Sequence, residues 1–151
     1  MSYKILKPAG DLGQPIMIMT EATLIGLIQR TILPDATKLD EFNVADFYSQ
    51  RRNLYGEIKC LRKHHSTILL EKAKYDELLP LPNARYIVST PNGVWSWRVR
   101  DLRNIVWQEL YLSNISTYYH RETEGGYKTV TFIPIASAMC ISNLIGWEQG
   151  M

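Results

Sequence analysis

Seven residues in one stretch could do chemistry together: Arg51, Arg52, Lys59, Arg62, Lys63, His64 and His65, with Tyr55 among them. Basic side chains interleaved with an aromatic suit a phosphate backbone, whose charge they neutralise and whose bases the ring can stack on. An acidic protein surface would suit them as well, and a plain solvated face is the simplest alternative. A second region, from Trp95 to Tyr119, has arginines close to its aromatic residues. Here the aromatics Trp95, Trp97, Trp107, Tyr111, Tyr118 and Tyr119 concentrate. Trp and Tyr close to Arg are the usual composition of a protein interface. Trp95 and Trp97 share one face of a strand and are expected to pack inward. Trp107 falls off the apolar stripe and is the aromatic expected to be exposed.

Covalent chemistry has less to stand on. His64-His65 resembles the opening of a ββα-metal nuclease site, which also needs a downstream Asn and His. Asn83 is present, but the next histidine, His120, is too distant. His65-Ser66-Thr67 matches one half of a paired His-x-Thr phosphoesterase, whereas His120 is followed by Arg121-Glu122. Neither a Gly-x-Ser-x-Gly elbow nor a glycine-rich phosphate loop is present. Glu122 and Glu124 fall in a polar turn. Cys60 and Cys140 have no ligand partner at zinc spacing. They are read as two free, mostly buried thiols of a reducing compartment, with a disulfide as the alternative. No catalytic residue, metal or cofactor is therefore assigned, and a non-enzymatic protein is expected.

The chain has 151 residues, one domain's worth, and its 46% hydrophobic and 21% charged composition is ordinary for a packed globule. A net charge of +2 argues against coating nucleic acid by bulk charge, and leaves a local basic face open. The N-terminus lacks the pattern of a signal peptide, and no apolar run would span a bilayer. The expectation is a soluble, cytoplasmic single domain, with a sub-division into 1–80 and 83–151 at Pro80 and Pro82.

The elements that would position these residues read as α+β, a helix-rich N-terminal half packed on a hairpin, helix pair and strand. Tyr3 to Lys7 suits an edge strand, and Ile16 to Met19 a buried strand or an apolar lead-in. Thr20 is placed to cap a helix whose apolar face is Leu24, Ile25, Leu27, Ile28 and Ile32, stopped by Pro34. Leu39, Phe42, Val44 and Phe47 mark a second segment, a helix or a loop leading into a short helix capped by Asn43. Residues 54–61 alternate as a half-buried strand, with Ser66 to Leu70 as its return and Lys63-His64-His65 at the turn; a helix from Leu54 to Lys63, interrupted by Gly56, is the alternative. Glu71 to Leu79 reads as a helix. Tyr86 to Val88 and Val94 to Val99 form a hairpin about Pro91-Asn92-Gly93. Asp101 would cap a helix to Leu112, Ser113 a second, shorter one. Tyr127 to Ile133 is the strongest strand, closed by Pro134, and Ala136 to Leu144 is an apolar segment read as helical.

The run Tyr86-Ile-Val-Ser-Thr-Pro-Asn-Gly, then Val99-Arg-Asp-Leu-Arg-Asn-Ile, Leu112-Ser-Asn-Ile-Ser and Gly126-Tyr-Lys resembles the accessory DNA-binding module of phage homing endonucleases. The resemblance covers residues 85–128, about a third of the chain, with Asp101 where the module has Asn. It implies a phage or mobile-element setting and duplex contact through the second helix. Asn114, Ser116, Thr117 and Arg121 would face the duplex, and Arg98, Arg100, Arg103 and Lys128 its phosphates. The function expected is a small non-enzymatic binding protein that acts on or inhibits a host or viral macromolecule, with a DNA-binding module using the 101–121 helix pair, or a metal-dependent nuclease about His64 and His65, as the alternatives. A homo-oligomer is compatible with each.

Overall fold

The structure is a computed structural model that describes residues 4–6, 16–111 and 126–146. Its frame is a six-stranded sheet. In chain order its strands are β3 (Thr37–Lys38), β4 (Phe47–Ser49), β5 (Leu54–Cys60), β7 (Arg85–Thr90), β8 (Gly93–Arg98) and β11 (Met139–Cys140). Across the sheet the order is β11-β8-β7-β5-β4-β3. Every pairing is antiparallel except β5 with β7, where Gly56 lies beside Arg85 and Cys60 beside Ser89. Parallel neighbours need a long crossover, and residues 61–84 supply it through β6 (Thr67–Glu71) and the helix α2 (Lys72–Leu78).

β6 does not return beside β5. It joins β10 (Tyr127–Pro134) and β9 (Gln108–Tyr111) in a second, antiparallel sheet of order β6-β10-β9. Two short strands, β1 (Lys4–Leu6) and β2 (Ile16–Ile18), pair separately. The first helix, α1 (Glu21–Arg30), opens on the expected cap, with Thr23 N–H donating to Thr20 Oγ1 at 3.1 Å.

The large sheet is covered on both faces. Leu24, Ile25, Leu27 and Ile28 of α1 pack with Phe47, Ile58, Ile87 and Val94 on one side. Ile68, Leu70, Leu78 and Ile133 of the second sheet and α2 pack with Tyr86, Val88 and Trp97 on the other. β7 makes this visible in miniature. Successive side chains of a strand point to opposite faces, so Ile87 enters the first core while Tyr86 and Val88 enter the second. A strand covered on both faces reads as a continuous apolar run, which is what Tyr86-Ile-Val shows. Both multi-stranded sheets take strands from both sides of Pro80 and Pro82.

The protein is therefore mostly β, and the expected helix-rich N-terminal half is not formed. Residues 39–50 are a turn and a strand, because side chains there bond backbone in ways that compete with a helix. Asp40 Oδ1 accepts from Phe42 N–H at 3.0 Å and from Asn43 Nδ2 at 2.8 Å. Asp46 Oδ2 accepts from Ile58 N–H at 2.7 Å and ties the segment to β5. Phe42, one of the residues marking that segment, is 90% exposed.

The helix expected from Asp101 is likewise absent. Val99–Asp101 is a single 3-10 turn, Asn104 turns left-handed at φ 55°, and Gln108 to Tyr111 pair with Val130 to Tyr127. A free strand edge on β10 captures residues whose apolar spacing suits a helix equally well. The second expected helix, from Ser113, lies outside the described residues. Ala136–Leu144 is not helical either. Ser137 Oγ donates to Pro134 O at 2.7 Å within a 3-10 turn, and Met139–Cys140 then pair along β8.

Cys60 and Cys140 are free, as expected, but Cys140 is exposed rather than buried. Among the described residues no helix is long and apolar enough to cross a membrane.

Gly56 lies directly across from the fully buried Phe47, and a Cβ there would run into the Phe47 ring. Gly56→Ala is expected to displace that ring from the first core and cost about 1–3 kcal/mol of stability, read as a lowered urea midpoint at unchanged slope.

Candidate functional site

One end of the large sheet gathers arginines from three separate stretches. Arg52 comes from the turn before β5, Arg85 opens β7, Arg98 ends β8, and Arg100 follows in the 3-10 turn. With Leu54, Asn83 and Ala84 they line a pocket of about 250 Å³. Arg85 and Arg98 are register partners across the β7–β8 hairpin. Like charges directly opposite on one face of a sheet destabilise it. Arg85 is half-buried, and burial, then the Arg98 charge, hold its guanidinium below the usual range, with Asp101 opposing. Its Nη1 donates to Ser96 Oγ at 3.3 Å. Arg98 has an exposed partner in Asp101 at 3.9 Å, too loose to neutralise it.

The turns that present these residues are tightly held. Asp35 accepts from Ser49 Oγ at 2.7 Å and from Arg51 N–H at 2.9 Å, fixing the turn that carries Arg52. Those two bonds, Arg51's first, hold the Asp35 carboxyl below the usual carboxylate range. Asn83 Nδ2 donates to Asn53 O at 2.9 Å, which ties the turn before β7 to the turn before β5. Asn53 and Asn83 are both left-handed, at φ 48° and 49°. Asn tolerates that region better than most residues, and left-handed positions cluster where a surface is being shaped.

A larger groove of about 820 Å³ adjoins the pocket and shares Arg85 and Arg98 with it. Arg103 lies along this groove, its Nη1 donating to Arg100 O at 2.6 Å. Phe132, Met139 and Val106 line it and are exposed.

A different charged set lies between the sheets. Glu57 and Lys59 flank Ile58 on β5, so they face away from α1, beside Tyr86 and Val88. With Glu71, Lys74 and Lys128 they line a cavity of about 320 Å³. Lys74 pairs with Glu57 at 3.5 Å and Lys128 with Glu71 at 3.2 Å. Lys59 Nζ reaches Leu69 O at 3.5 Å. Burial, then the neighbouring Asp46 charge, push Glu57 up to about 7 against the opposing pull of Lys74. Burial pushes Lys59 down, with Glu71 and Glu57 opposing.

The fold thus splits the first basic cluster. Arg51 and Arg52 precede β5 while Arg62, Lys63, His64 and His65 follow it, and seven strand residues set the two ends roughly 20 Å apart. Arg51 shares its turn with Arg52. Arg62 and Lys63 are exposed at the far end. His64 Nδ1 is 2.9 Å from Thr90 Oγ1 and its ring lies 5.2 Å from Trp95. Among the described residues no three His, Cys, Asp or Glu side chains come together as a metal-ligand set. Lys128 is engaged by Glu71. Trp107, expected to be exposed, is half-buried, its ring 5.4 Å from Tyr75 with Lys72 Nζ 5.8 Å over it. Trp97 is buried as expected, with Trp95 packed partly against the same core. Asn114, Ser116, Thr117 and Arg121 lie outside the described residues.

No protein-family model, curated protein or solved structure matches this chain.

Two site residues were missed in the sequence, Arg85 and Asn83 as a partner of the arginine turn. A signal for the first is there: Arg85 and Arg98 stand equidistant from the Pro91-Asn92 turn, so a two-residue hairpin loop puts them in register.

Glu57 has a folded-state value near 7 against 4.5 when free. The folded state then binds more protons between these values, so this group's contribution falls as pH rises through that window and stays low above it. Glu57→Gln is expected to stabilise the protein more at pH 8 than at pH 5, by about 1–3 kcal/mol, measured by urea unfolding at both pH values.

Proposed function

We propose that this protein is a binding protein whose arginine pocket takes the phosphates of a nucleic acid. The carrying observation is the Arg85–Arg98 register pair, with Arg52 and Arg100 lining the same pocket. A hairpin that sets two guanidinium groups opposite each other is built against its own stability, and an anion between them reverses the sign of that interaction. Guanidinium forks match phosphate oxygens in geometry as well as charge. Overall charge is nearly balanced at +2, so attraction is local to this end of the sheet. The setting implied by the resemblance, a phage or mobile-element protein acting on a host or viral macromolecule, belongs to the same reading. Strand ends and turns carry this contact, whereas the resemblance implies a second helix from Ser113, which lies outside the described residues.

The test is titration of labelled single-stranded and duplex DNA at about 50 and 200 mM salt. Three or four phosphate contacts predict a loss of affinity of roughly 20- to 150-fold across that range. Arg98→Gln should flatten the salt dependence by about one contact. The same change should raise stability at low salt by a few tenths of a kcal/mol, up to about 1, because it removes the like-charge pair. No binding at the lower salt, or binding untouched by Arg98→Gln, would sink the reading.

A further inference from the structure

The arginine pocket does not stand alone; it opens into the larger groove through the shared residues Arg85 and Arg98. The groove differs in chemistry from the pocket. Phe132 and Met139 line it and are 40% and 52% exposed. Phe132 is the exposed position between two buried ones, Thr131 and Ile133, so the alternation of β10 turns it outward. Asn104 and Gln108 also line the groove and carry side-chain amides, which can donate to and accept from a base edge. A cationic pocket therefore merges with an apolar one that has amides along it.

We infer that the ligand is single-stranded nucleic acid, with its phosphates at the arginine pocket and an unstacked base seated against Phe132 in the groove. The inference rests on the phosphate-binding reading above and adds the form of the nucleic acid. In a duplex the base faces are stacked on one another and cannot reach an aromatic ring. In a single strand a base and its phosphate are one sugar apart, which matches a groove and a pocket that share two arginines. A cavity of about 820 Å³ lies within the range that holds small organic ligands, about 300–1,000 Å³. An acidic peptide is the competing polyanion. Its carboxylates are planar and each is met by one guanidinium fork, whereas a phosphate presents several oxygens to guanidiniums arriving from different directions. Four arginines from three stretches, lining one pocket of about 250 Å³, suit the phosphate better.

The test compares four probes by fluorescence anisotropy at about 50 mM salt: oligo-dT, an abasic strand of the same length, a duplex and a polyglutamate peptide. Oligo-dT should bind at least tenfold more tightly than the abasic strand and the duplex. Phe132→Ala should weaken oligo-dT by about 5- to 100-fold and leave the abasic strand unchanged. Phe132→Tyr keeps the stacking face and should retain oligo-dT binding, and matching thermal melts identify any variant that has failed to fold. Equal binding of oligo-dT and the abasic strand, both weakened by Arg98→Gln, would overturn the base seat and leave the phosphate site standing. Tightest binding to duplex would do the same. Polyglutamate binding as tightly as oligo-dT would point to an acidic protein and overturn the inference. Absence of binding by every strand would remove the underlying reading as well.

Discussion

The parallel pairing of β5 with β7 is the constraint on which the rest depends. It forces the chain between them to leave the sheet and return, and that crossover supplies both β6 and α2. β6 then seeds the second sheet by pairing with β10, so one face of the large sheet acquires its cover from the connection itself. α1 covers the other face. The same pairing aligns the starts of β5 and β7, Gly56 beside Arg85, and the β7–β8 hairpin returns Arg98 to that end. Arg52, Arg85, Arg98 and Arg100 meet because of strand register, although 33 residues separate the first from the second in the chain. Charge that is dispersed along the sequence becomes local through topology.

The two charged regions show opposite electrostatic logic. Between the sheets, signs alternate: Glu57 with Lys74, Glu71 with Lys128, and Lys59 facing both carboxylates at longer range. Desolvation is severe there, and opposite charge offsets part of it. This set is best understood as internal compensation for charge that β5 carries into a buried layer. At the sheet end the signs do not alternate. Among the described residues, four arginines gather with one loosely placed carboxylate, Asp101 beside Arg98, and Arg52, Arg98 and Arg100 are exposed. Exposed like charges that lack an internal partner are the ones an external anion can reach, which is why the proposal is placed at the sheet end and not in the intersheet cavity.

What could be read in the sequence divides along the range of the interactions involved. The α1 cap at Thr20, the Pro91-Asn92 turn and the β10 strand were legible because each is decided within a few residues. α2 was legible for the same reason, over Lys72–Leu78. The segments misread as helix were decided at a distance. Leu102, Ile105, Val106 and Leu110 have helical spacing, yet the edge of β10 takes Gln108–Tyr111 into a strand and Trp107 docks on Tyr75 of α2. Residues 39–50 carry an acidic, helix-compatible pattern, yet Asp40 and Asp46 spend their carboxylates on backbone N–H groups. Of the site, Arg52 was identified from charge density, and Arg98, Arg100 and Arg103 from the resemblance. Their grouping was not, because it depends on which end of β5 each stretch adjoins. Arg62 and Lys63 look contiguous with Arg52 in sequence and are separated from it by the length of a strand.

The three left-handed non-glycine residues among those described, Asn53, Asn83 and Asn104, bear on whether the sheet end is shaped or incidental. Asn83 lines the arginine pocket and Asn104 the groove, while Asn53 receives Asn83's amide through its carbonyl. A left-handed conformation at a non-glycine residue carries a local cost that the surroundings must offset. At Asn83 the offset is visible, a 2.9 Å bond that ties two turns from distant parts of the chain. At Asn53 it is the tight turn closed by its N–H to Gln50 O at 3.2 Å. Both turns sit immediately before strands whose first residues frame the pocket, so the conformational cost is concentrated where arginines must be aimed. Like-charge pairing at Arg85 and Arg98 adds a second local cost at the same place. Two independent departures from the most stable local arrangement, one in backbone and one in charge, coincide at one end of one sheet, the end at which the phosphate site is proposed.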